Sequence, residues 1–301
     1  MNKLLIFAKS PIKGKVKTRL KKDTPLTDGN ILKLYTAFLK DTIISASLSN
    51  AQKVYIAYYP EDSREVMIDI IKGVKGSRGR GIKGFFTQTL KSIELFPQSG
   101  NDFDTRLTNA LKNIHNKSSD NIIILGSDSP HIQPSTINRA FRFLKYPLTS
   151  ILSPLGRGGS RGQSPLPFGE RVRVRGAMVL GPSGEGGIYL IGLKFVIRNP
   201  QSAISFRGVF TTGNESDNLL KIARSKKLAL FILEELTDVD VKSDLITLIS
   251  NLYIMKYSSK YARIYLPKHT IKVIKKLGLG IGRKGNKTRE KHLTIGKIYA
   301  G

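Results

Sequence analysis

Residues 122–130 read Ile122-Ile-Ile-Leu-Gly-Ser-Asp-Ser-Pro130, and this stretch is the most informative one in the sequence. Four consecutive aliphatic residues are typical of a short strand that is buried on both faces. Gly126 ends the strand and Asp128 follows at its carboxyl end, where open α/β sheets bind their ligands. A carboxylate in that position predicts a site for Mg²⁺ or Mn²⁺ beside a phosphate. A turn or helix-capping aspartate would show the same local pattern, so other motifs have to decide between the two interpretations.

Strands and helices alternate on both sides of this stretch. Apolar runs predict strands at Lys3–Ala8, Lys53–Tyr58, Ala177–Leu180, Gly187–Leu193 and Leu228–Leu233. Helical spacing of apolar residues predicts helices at Asn30–Ser47, Glu61–Ile71, Asp102–Ile114, Ser135–Leu144, Glu215–Lys226 and Ser243–Leu252. This alternation predicts an α/β fold, a three-layer sandwich around a mainly parallel sheet.

The chain of 301 residues carries a net charge of +28, which is unevenly distributed. Three segments together hold +20 of it: 73–84, 153–176 and 256–301. The first two are rich in Gly and Arg or Lys and predict exposed insertions in a domain over 1–252. Residues 253–301 are predicted to form a basic extension with one docked helix near Lys268–Leu277 and a mobile end. Because the excess lies outside the core, we do not expect nucleic acid as the main ligand.

Composition also indicates the cellular compartment of the protein. There is no Cys, which excludes disulfides and thiolate metal sites. No apolar run reaches the length of a membrane-spanning helix, and Met1–Ala8 is too short for a signal peptide. The sequence therefore predicts a cytoplasmic protein without a membrane span, and it carries no signal for an oligomeric state.

A basic loop is predicted between the first strand and the first long helix, at Lys9–Leu20. Small residues, backbone donors and cations in one loop favour phosphate binding. The residues that provide them are Lys9, Gly14, Lys15, Lys17, Thr18 and Arg19. The loop lacks the Walker pattern, because Val16 follows Gly14-Lys15 where a Ser or Thr would stand. A solvated basic loop is the alternative interpretation.

Two further motifs place carboxylates after predicted strands. Glu185 lies in the glycine-rich turn of the stretch 179–193, where glycines let the backbone approach a ligand closely. Asp238 and Asp240 follow the Leu228–Leu233 strand. Alternate residues of an extended segment share a face, so both carboxylates are predicted to point towards one site. The alternative is a cluster at a helix start, with Ser243 as the cap.

Taken in order, the loop FAKSPIKGKVKTRL, the GSDSP turn, GPSGEGGIYLIGL and the Asp238–Asp244 segment resemble a known family. The chain is similar to the bacterial GT-A-type nucleotide-diphospho-sugar transferases, in particular to glycosyltransferases associated with arsenosugar biosynthesis or radical-SAM enzymes. The molybdenum-cofactor and phospholactate guanylyltransferases belong to the same superfamily. The resemblance covers roughly residues 1–250 apart from the insertions.

The resemblance implies a role for each matching residue. Asp128, with Asp240, would bind the divalent metal, Mg²⁺ or Mn²⁺. The basic loop would flank the nucleotide phosphates, and Gln98, Asp102 and Arg106 would lie near the nucleotide. Asp104 stands where the family has Gly. Glu185 replaces the family's Asp, and Ile188 its Tyr, on the acceptor side.

The activity implied is transfer of a glycosyl group from a nucleotide sugar to a small-molecule acceptor. Glu185 is the candidate general base, or Asp240 if Glu185 faces the metal. The alternative is a nucleotidyltransferase that acts on an NTP and a phosphorylated small molecule with the same cradle. A second alternative is a basic nucleic-acid-binding protein. The four histidines are scattered along the chain and are predicted to lie on the surface.

Overall fold

The computed structural model describes residues 1–76, 93–115, 120–145, 174–195, 204–283 and 291–296. Within these ranges seven strands form one sheet in the order β3-β2-β1-β4-β6-β5-β7. They are β1 (Asn2–Lys9), β2 (Lys53–Tyr59), β3 (Ile93–Pro97), β4 (Asn121–Leu125), β5 (Gly176–Pro182), β6 (Ile188–Phe195) and β7 (Leu228–Ile232). In this described sheet only β6 runs antiparallel to its neighbours, which confirms the predicted α/β fold with a mainly parallel sheet.

Eight α-helices are described along the chain. They are α1 (Thr18–Lys22), α2 (Asp28–Ser47), α3 (Arg64–Gly76), α4 (Phe103–Ile114), α5 (Pro134–Lys145), α6 (Glu215–Ser225), α7 (Lys242–Ser258) and α8 (Lys268–Lys276). Single 3₁₀ turns lie at Glu61–Ser63 and Gly184–Gly186. No helix within the described ranges is both long enough and apolar enough to cross a membrane.

The two faces of the sheet carry separate apolar cores because side chains alternate along each strand. On one face, Leu4 and Ile6 of β1 pack in a cluster with residues of α2, α3 and α5. On the other face, Leu5 and Phe7 pack with residues of α4 and α6. Helices therefore cover both sides of the sheet, and the three-layer arrangement follows from the period-two pattern of its central strands.

A third core lies outside this sandwich and corrects the prediction for the end of the chain. Residues of α7 and α8 pack on the outer side of α2, where Leu34 and Phe38 are fully buried. A two-stranded antiparallel sheet, β8 (Leu279–Arg283) with β9 (Lys291–Ile295), joins the same core. The docked helix was predicted correctly, but residues 279–283 and 291–295 form two packed strands where a mobile end was expected. The rest of that predicted mobile end, 284–290 and 297–301, lies outside the described part. The predicted domain boundary at residue 253 falls inside α7.

Several other predicted boundaries differ from the structure. The strand β3 was not predicted at all. Helix α3 extends to Gly76, so the start of the predicted 73–84 insertion is helical, and residues 77–84 lie outside the described part. Of the predicted insertion 153–176, residues 153–173 lie outside the described part, and Gly176 already belongs to β5. The basic loop ends earlier than predicted, because α1 begins at Thr18.

Candidate functional site

The site lies at the carboxyl edge of the sheet, between β1 and β4. These two strands are adjacent and parallel, and the strand order reverses between them, from β3-β2-β1 on one side to β4 on the other. In open α/β sheets the loops that leave such a pair diverge to opposite faces and open a crevice, where ligands bind. The loop after β1 and the turn after β4 are the two segments in which the sequence predicts phosphate and metal binding.

Asp128 is held at this edge by a third segment, the chain after β7. Ser129 donates its hydroxyl hydrogen bond to the carbonyl of Thr237 at 2.9 Å. The backbone N–H of Val239 donates to the carbonyl of Asp128 at 3.1 Å. These two contacts fasten residues 237–240 against the turn after β4. Asp238 and Asp240 are thereby brought beside Asp128, as their alternation along an extended segment predicts.

Lys17 connects the three segments. Its Nζ lies 2.7 Å from Oδ2 of Asp128 and 2.7 Å from Oδ1 of Asp240. The Lys17 side chain is only 5% exposed, whereas Asp128 and Asp240 are 28% and 46% exposed. Its backbone has φ 48° and ψ 43°, in the left-handed region that a non-glycine residue rarely adopts. Such a conformation persists only where its surroundings impose it, and here two carboxylates hold the ammonium.

The electrostatics of the cluster are those of one cation among several anions. Burial alone would lower the pKa of Lys17, but the carboxylates of Asp128, Asp238 and Asp240 outweigh it and raise that pKa above its ordinary range. Burial raises the pKa of Asp238 to about 7, the nearby Asp128 adds to the rise, and Lys17 opposes it. The cluster therefore holds more negative than positive charge at neutral pH, which favours binding of a further cation.

The remaining residues of the basic loop surround the cluster without entering it. Arg19 approaches Asp240, with Nη1 3.9 Å from Oδ2. Lys9, Gly14, Lys15 and Thr18 are exposed at the same edge, and Gly14 takes a φ of 75° in the turn of the loop. The exposed cations of this loop are therefore available to a ligand in solution, whereas Lys17 is already paired.

Tyr35, which the sequence analysis did not single out, anchors the start of the basic loop. This buried tyrosine of α2 donates its hydroxyl hydrogen bond to the carbonyl of Lys9 at 2.7 Å. The same hydroxyl lies 3.1 Å from Oγ of Ser127. It thus connects the chain leaving β1 to the turn leaving β4. Its position on the apolar face of a helix makes it look like an ordinary core residue in the sequence.

Gln98, Asp102 and Arg106 lie on the β2–β3 side of the edge. Gln98 is buried, and its Nε2 donates to the carbonyls of Ala8 and Ala57 at 3.0 Å each, which joins the ends of β1 and β2. Asp102 caps α4 by accepting the N–H of Thr105 at 2.7 Å. These contacts hold the scaffold together, so both side chains have a structural role in the chain as it stands.

Arg106 has a more open position than its two companions. Its guanidinium lies over the ring of Tyr59, 4.6 Å from the centroid. Tyr59 ends β2 and is exposed, and the exposed ring of Phe103 lies nearby in the chain at the start of α4. An arginine stacked on an exposed aromatic ring at the carboxyl edge of a sheet is a surface on which a nucleobase can stack.

Asp104 stands where the resembled family has Gly, and the structure gives it a purely structural role. It is 2% exposed and accepts three hydrogen bonds from the segment before α6. The donors are the N–H of Gly208 at 2.8 Å, the N–H of Phe210 at 2.9 Å and the hydroxyl of Thr211 at 2.8 Å. Asp104 therefore fastens residues 208–211 to α4.

Glu185 is at the carboxyl edge but not in contact with the cluster. It is exposed and lies in the 3₁₀ turn after β5, with φ 58°. The order β4-β6-β5 places that turn two strands from Asp128, about 10 Å at the usual strand spacing. None of the hydrogen bonds or ion pairs of the described residues joins Glu185 to Lys17, Asp128 or Asp240.

The carboxylates of the cluster can hold a divalent metal only together with oxygen atoms from a bound nucleotide. Within the described residues there is no group of three or more His, Cys, Asp or Glu side chains arranged to hold a metal ion. However, Asp128 and Asp240 converge on one cation, the ammonium of Lys17. Mg²⁺ is commonly bound by one or two carboxylates plus phosphate oxygens and water, which is the donor set that these two residues and a nucleotide would supply.

The histidines were expected on the surface, and that prediction is wrong for two of them. His115 and His131 are both buried. Burial lowers the pKa of His131 to about 4, so the ring is neutral at physiological pH. Neither takes part in the hydrogen bonds of the Lys17 cluster.

Comparison with known proteins bears on the fold. Residues 50–159 match the model of a family described as an uncharacterized protein conserved in bacteria (DUF2064). A protein from Desulfovibrio desulfuricans G20, provisionally described as a nucleotide-diphospho-sugar transferase, is 20% identical with a TM-score of 0.60, over 91% of this chain and 97% of that one. The two proteins share a fold. The predicted α/β sandwich with a mainly parallel sheet is therefore confirmed as the fold that this chain shares with that protein.

Two other solved structures are similar at lower TM-scores. A cytidylyltransferase from Leptospira borgpetersenii is 15% identical over 91% of this chain and 94% of that one, with a TM-score of 0.44. A nucleotidyl transferase from Methanothermobacter is 12% identical over 83% and 97%, with a TM-score of 0.46. No curated protein matches the chain.

Proposed function

We propose that this protein is a transferase that binds a nucleotide sugar together with a divalent metal and transfers the glycosyl group to a small acceptor. One observation carries the proposal: Lys17, Asp128 and Asp240 converge at the switch point between β1 and β4. Three segments far apart in the chain meet there, and the buried ammonium of Lys17 is paired with two partly exposed carboxylates outside the apolar cores. Charges that are buried without a packing role favour a functional interpretation.

The basic loop provides the phosphate side of this site. Lys15 and Arg19 are exposed beside the cluster, and their charges attract a diphosphate to an edge that otherwise carries three aspartates. Lys17 is the cation that a phosphate would meet at the centre. Its ion pairs with Asp128 and Asp240 hold it in place before the ligand arrives, so little reorganisation is needed on binding.

Asp128 and Asp240 are the residues that would hold Mg²⁺ or Mn²⁺. When bound, such an ion neutralises the charge that develops on a diphosphate leaving group. The aspartates contribute the negative charge that draws the ion in. Lys17 then has phosphate oxygens as alternative partners for its ammonium.

Proton removal from the acceptor hydroxyl is assigned to Glu185. Asp240, the alternative base, already accepts a hydrogen bond from Lys17, whereas Glu185 is exposed and has no partner among the described residues. The spacing of about 10 Å between its turn and Asp128 leaves room for a sugar between the base and the diphosphate. The sequence resemblance suggests an acceptor from arsenosugar biosynthesis, and we include that acceptor class in the proposal.

Nucleotidyl transfer is the alternative reaction of the same site. The cluster binds an NTP by the same phosphate contacts, and a phosphorylated acceptor would then attack the α-phosphate. The two reactions differ in their products: glycosyl transfer releases a nucleoside diphosphate, and nucleotidyl transfer releases pyrophosphate.

A ligand panel tests the proposal. Nucleotide sugars and NTPs with each base are added with Mn²⁺, and thermal unfolding is followed for the wild type, Asp128→Asn and a control, Asp217→Asn, on the exposed face of α6. A ligand at about 100 times its Kd should stabilise the wild type and the control by roughly 2.7 kcal/mol, and Asp128→Asn much less. ³¹P NMR of the reaction with the best ligand then identifies the released phosphate. If no nucleotide stabilises the wild type, or if Asp128→Asn responds equally, the proposed function is wrong.

A further inference from the structure

The C-terminal end of α7 exposes a group of large apolar side chains. Ile254 is 65% exposed and Tyr261 is 76% exposed, and Tyr253 and Tyr257 are exposed as well. At 100° per residue, the side chains of Tyr253, Ile254 and Tyr257 span an arc of only about 100° around the axis of α7. Tyr261 lies just beyond the helix, with its ring packed against that of Tyr257. Single exposed apolar residues are ordinary, but a contiguous group of four indicates a surface that makes contact with something else.

The same region is strongly basic. Between Asp244 and Glu290 the sequence contains no Asp or Glu. The basic residues of the described part of this stretch are Lys256, Lys260, Arg263, Lys268, Lys272, Lys275, Lys276 and Arg283. The exposed apolar group therefore lies in a stretch of the chain that carries only positive charge. The carboxylate of Asp41, which accepts the backbone N–H groups of His269 and Thr270 at the start of α8, is fully buried. A surface with this charge favours an anionic partner.

A groove joins the end of α7 to α8. Its volume is about 350 Å³, and it is lined by Lys256, Leu266, Lys268, Ile271, Lys272 and Lys275. The lining thus combines two aliphatic residues with four lysines. We call the groove and the exposed side chains of residues 253–263 together the α7–α8 surface.

The chemistry of the α7–α8 surface distinguishes between anionic partners. Single-stranded nucleic acid is bound by stacking bases on free aromatic faces. Here Tyr257 packs against Tyr261, with ring centroids 5.5 Å apart, and Lys260 lies over the Tyr257 ring at 5.1 Å. Those ring faces are therefore partly occupied, and the aliphatic Ile254 offers nothing for stacking. Tyrosines and aliphatic side chains beside lysines are instead the composition of surfaces that lie in a membrane interface.

We propose that the α7–α8 surface docks this protein on an anionic phospholipid bilayer. Ile254 and the exposed tyrosines enter the boundary between head groups and acyl chains, and the lysines of the groove pair with lipid phosphates. The lysine stems lie along the apolar residues while their ammonium groups stay in the polar layer. The proposal rests on charge and exposure alone and is independent of the transferase proposal.

Vesicle flotation of the full chain tests this docking. Phosphatidylcholine vesicles with and without phosphatidylserine are compared. Two variants alter the surface: a charge variant, Lys268→Gln with Lys272→Gln and Lys275→Gln, and an apolar variant, Ile254→Ser with Tyr261→Ser. A matched control removes three cations from α6 and its end, in Lys221→Gln with Arg224→Gln and Lys226→Gln. All eight changed side chains are exposed or line the groove, so circular dichroism should show an unchanged fold.

The wild type should float with the anionic vesicles only, and added salt should release it. Each lysine near an anionic surface is worth about fivefold in affinity, so the charge variant should bind about 100-fold more weakly. The apolar variant should also lose binding, and the control should float like the wild type. Equal flotation with neutral vesicles, no flotation of the wild type, or equal losses in the charge variant and the control would each overturn the proposal. Retention of the wild type by single-stranded DNA without vesicle binding would assign the surface to nucleic acid instead.

Discussion

Replacing Lys17 with methionine removes a buried ammonium from between three carboxylates while keeping nearly the same side-chain volume. A hydrogen bond between charged groups contributes about 1.5–3 kcal/mol, and Lys17 makes two, at 2.7 Å each. Asp128 and Asp240 are partly exposed, so water compensates part of the loss and the lower value applies to each. We therefore expect the free energy of unfolding to fall by about 3 kcal/mol.

Urea denaturation of four proteins measures this effect and its origin: the wild type, Lys17→Met, Asp128→Asn and the double variant. Because the two side chains are in direct contact, the double-mutant cycle should give a coupling energy of about 1–2 kcal/mol. Lys15→Met serves as the control, since Lys15 is exposed in the same loop and should change stability by no more than about 0.5 kcal/mol.

The same variant reports on metal binding. Lys17→Met leaves Asp128, Asp238 and Asp240 without their central cation, so Mn²⁺ should raise its unfolding midpoint more than that of the wild type. Additive changes in the cycle, or a Lys17→Met variant as stable as the wild type, would refute the cluster described here.

Two further predictions concern buried aspartates away from the Lys17 cluster. Burial raises the pKa of Asp41 to about 7, so the folded protein binds this proton more tightly than the unfolded chain, whose ordinary value is 3.8. The contribution of Asp41 to stability should therefore be fully present below pH 4 and should be lost as the pH rises towards 7, by up to about 1.4 kcal/mol per pH unit. Urea denaturation at pH 5 and pH 8 measures this loss, and Asp41→Asn should make the difference between the two pH values smaller. An unchanged difference would contradict it. Asp104→Ala leaves three donors of residues 208–211 without their acceptor, so the free energy of unfolding should fall by about 2–4 kcal/mol. The control Asp217→Ala on α6 should leave it almost unchanged. Equal effects of the two variants would show that Asp104 does not fasten the segment.

The sheet was largely predictable, and its exceptions have a physical cause. Strands β1 and β4 lie at its centre and are buried on both faces, so each appears in the sequence as a continuous apolar run. The strand β3 lies at the edge of the sheet and is mostly half-buried, with Glu94 and Pro97 in its sequence. An edge strand does not need an apolar run, because only part of its surface faces the core.

The two C-terminal strands were missed because their glycines were interpreted as a sign of mobility. In β8, Leu279 and Ile281 alternate with Gly280 and Gly282, and the apolar residues face the third core. A Cβ on Gly282 would lie 2.7 Å from the ring of His292 on the paired strand, so glycine here permits close cross-strand packing. The period-two pattern was present in the sequence, but five residues are too few to separate a strand from a glycine-rich end.

The candidate site was predictable as a set of residues but not as an arrangement. Asp128, Lys17 and Asp240 each follow a recognisable motif. Their mutual contacts depend on how the chain after β7 returns to the turn after β4, which no local pattern encodes. From the sequence, Lys17 was predicted to bind phosphate, whereas in the structure its ammonium pairs with two carboxylates. Gln98 was predicted to lie near the nucleotide, whereas its side-chain amide donates hydrogen bonds that join β1 to β2.

Calorimetric titration of the wild type and of Asp128→Asn with the nucleotide selected by the ligand panel, with and without Mn²⁺, tests the central claim most directly. We expect wild-type binding to depend on Mn²⁺ and Asp128→Asn to lose this dependence, with a Kd at least about 10-fold weaker, equivalent to 1.4 kcal/mol. Binding of equal strength in both proteins, or binding that is indifferent to Mn²⁺ in the wild type, would contradict the placement of the nucleotide and its metal at Asp128.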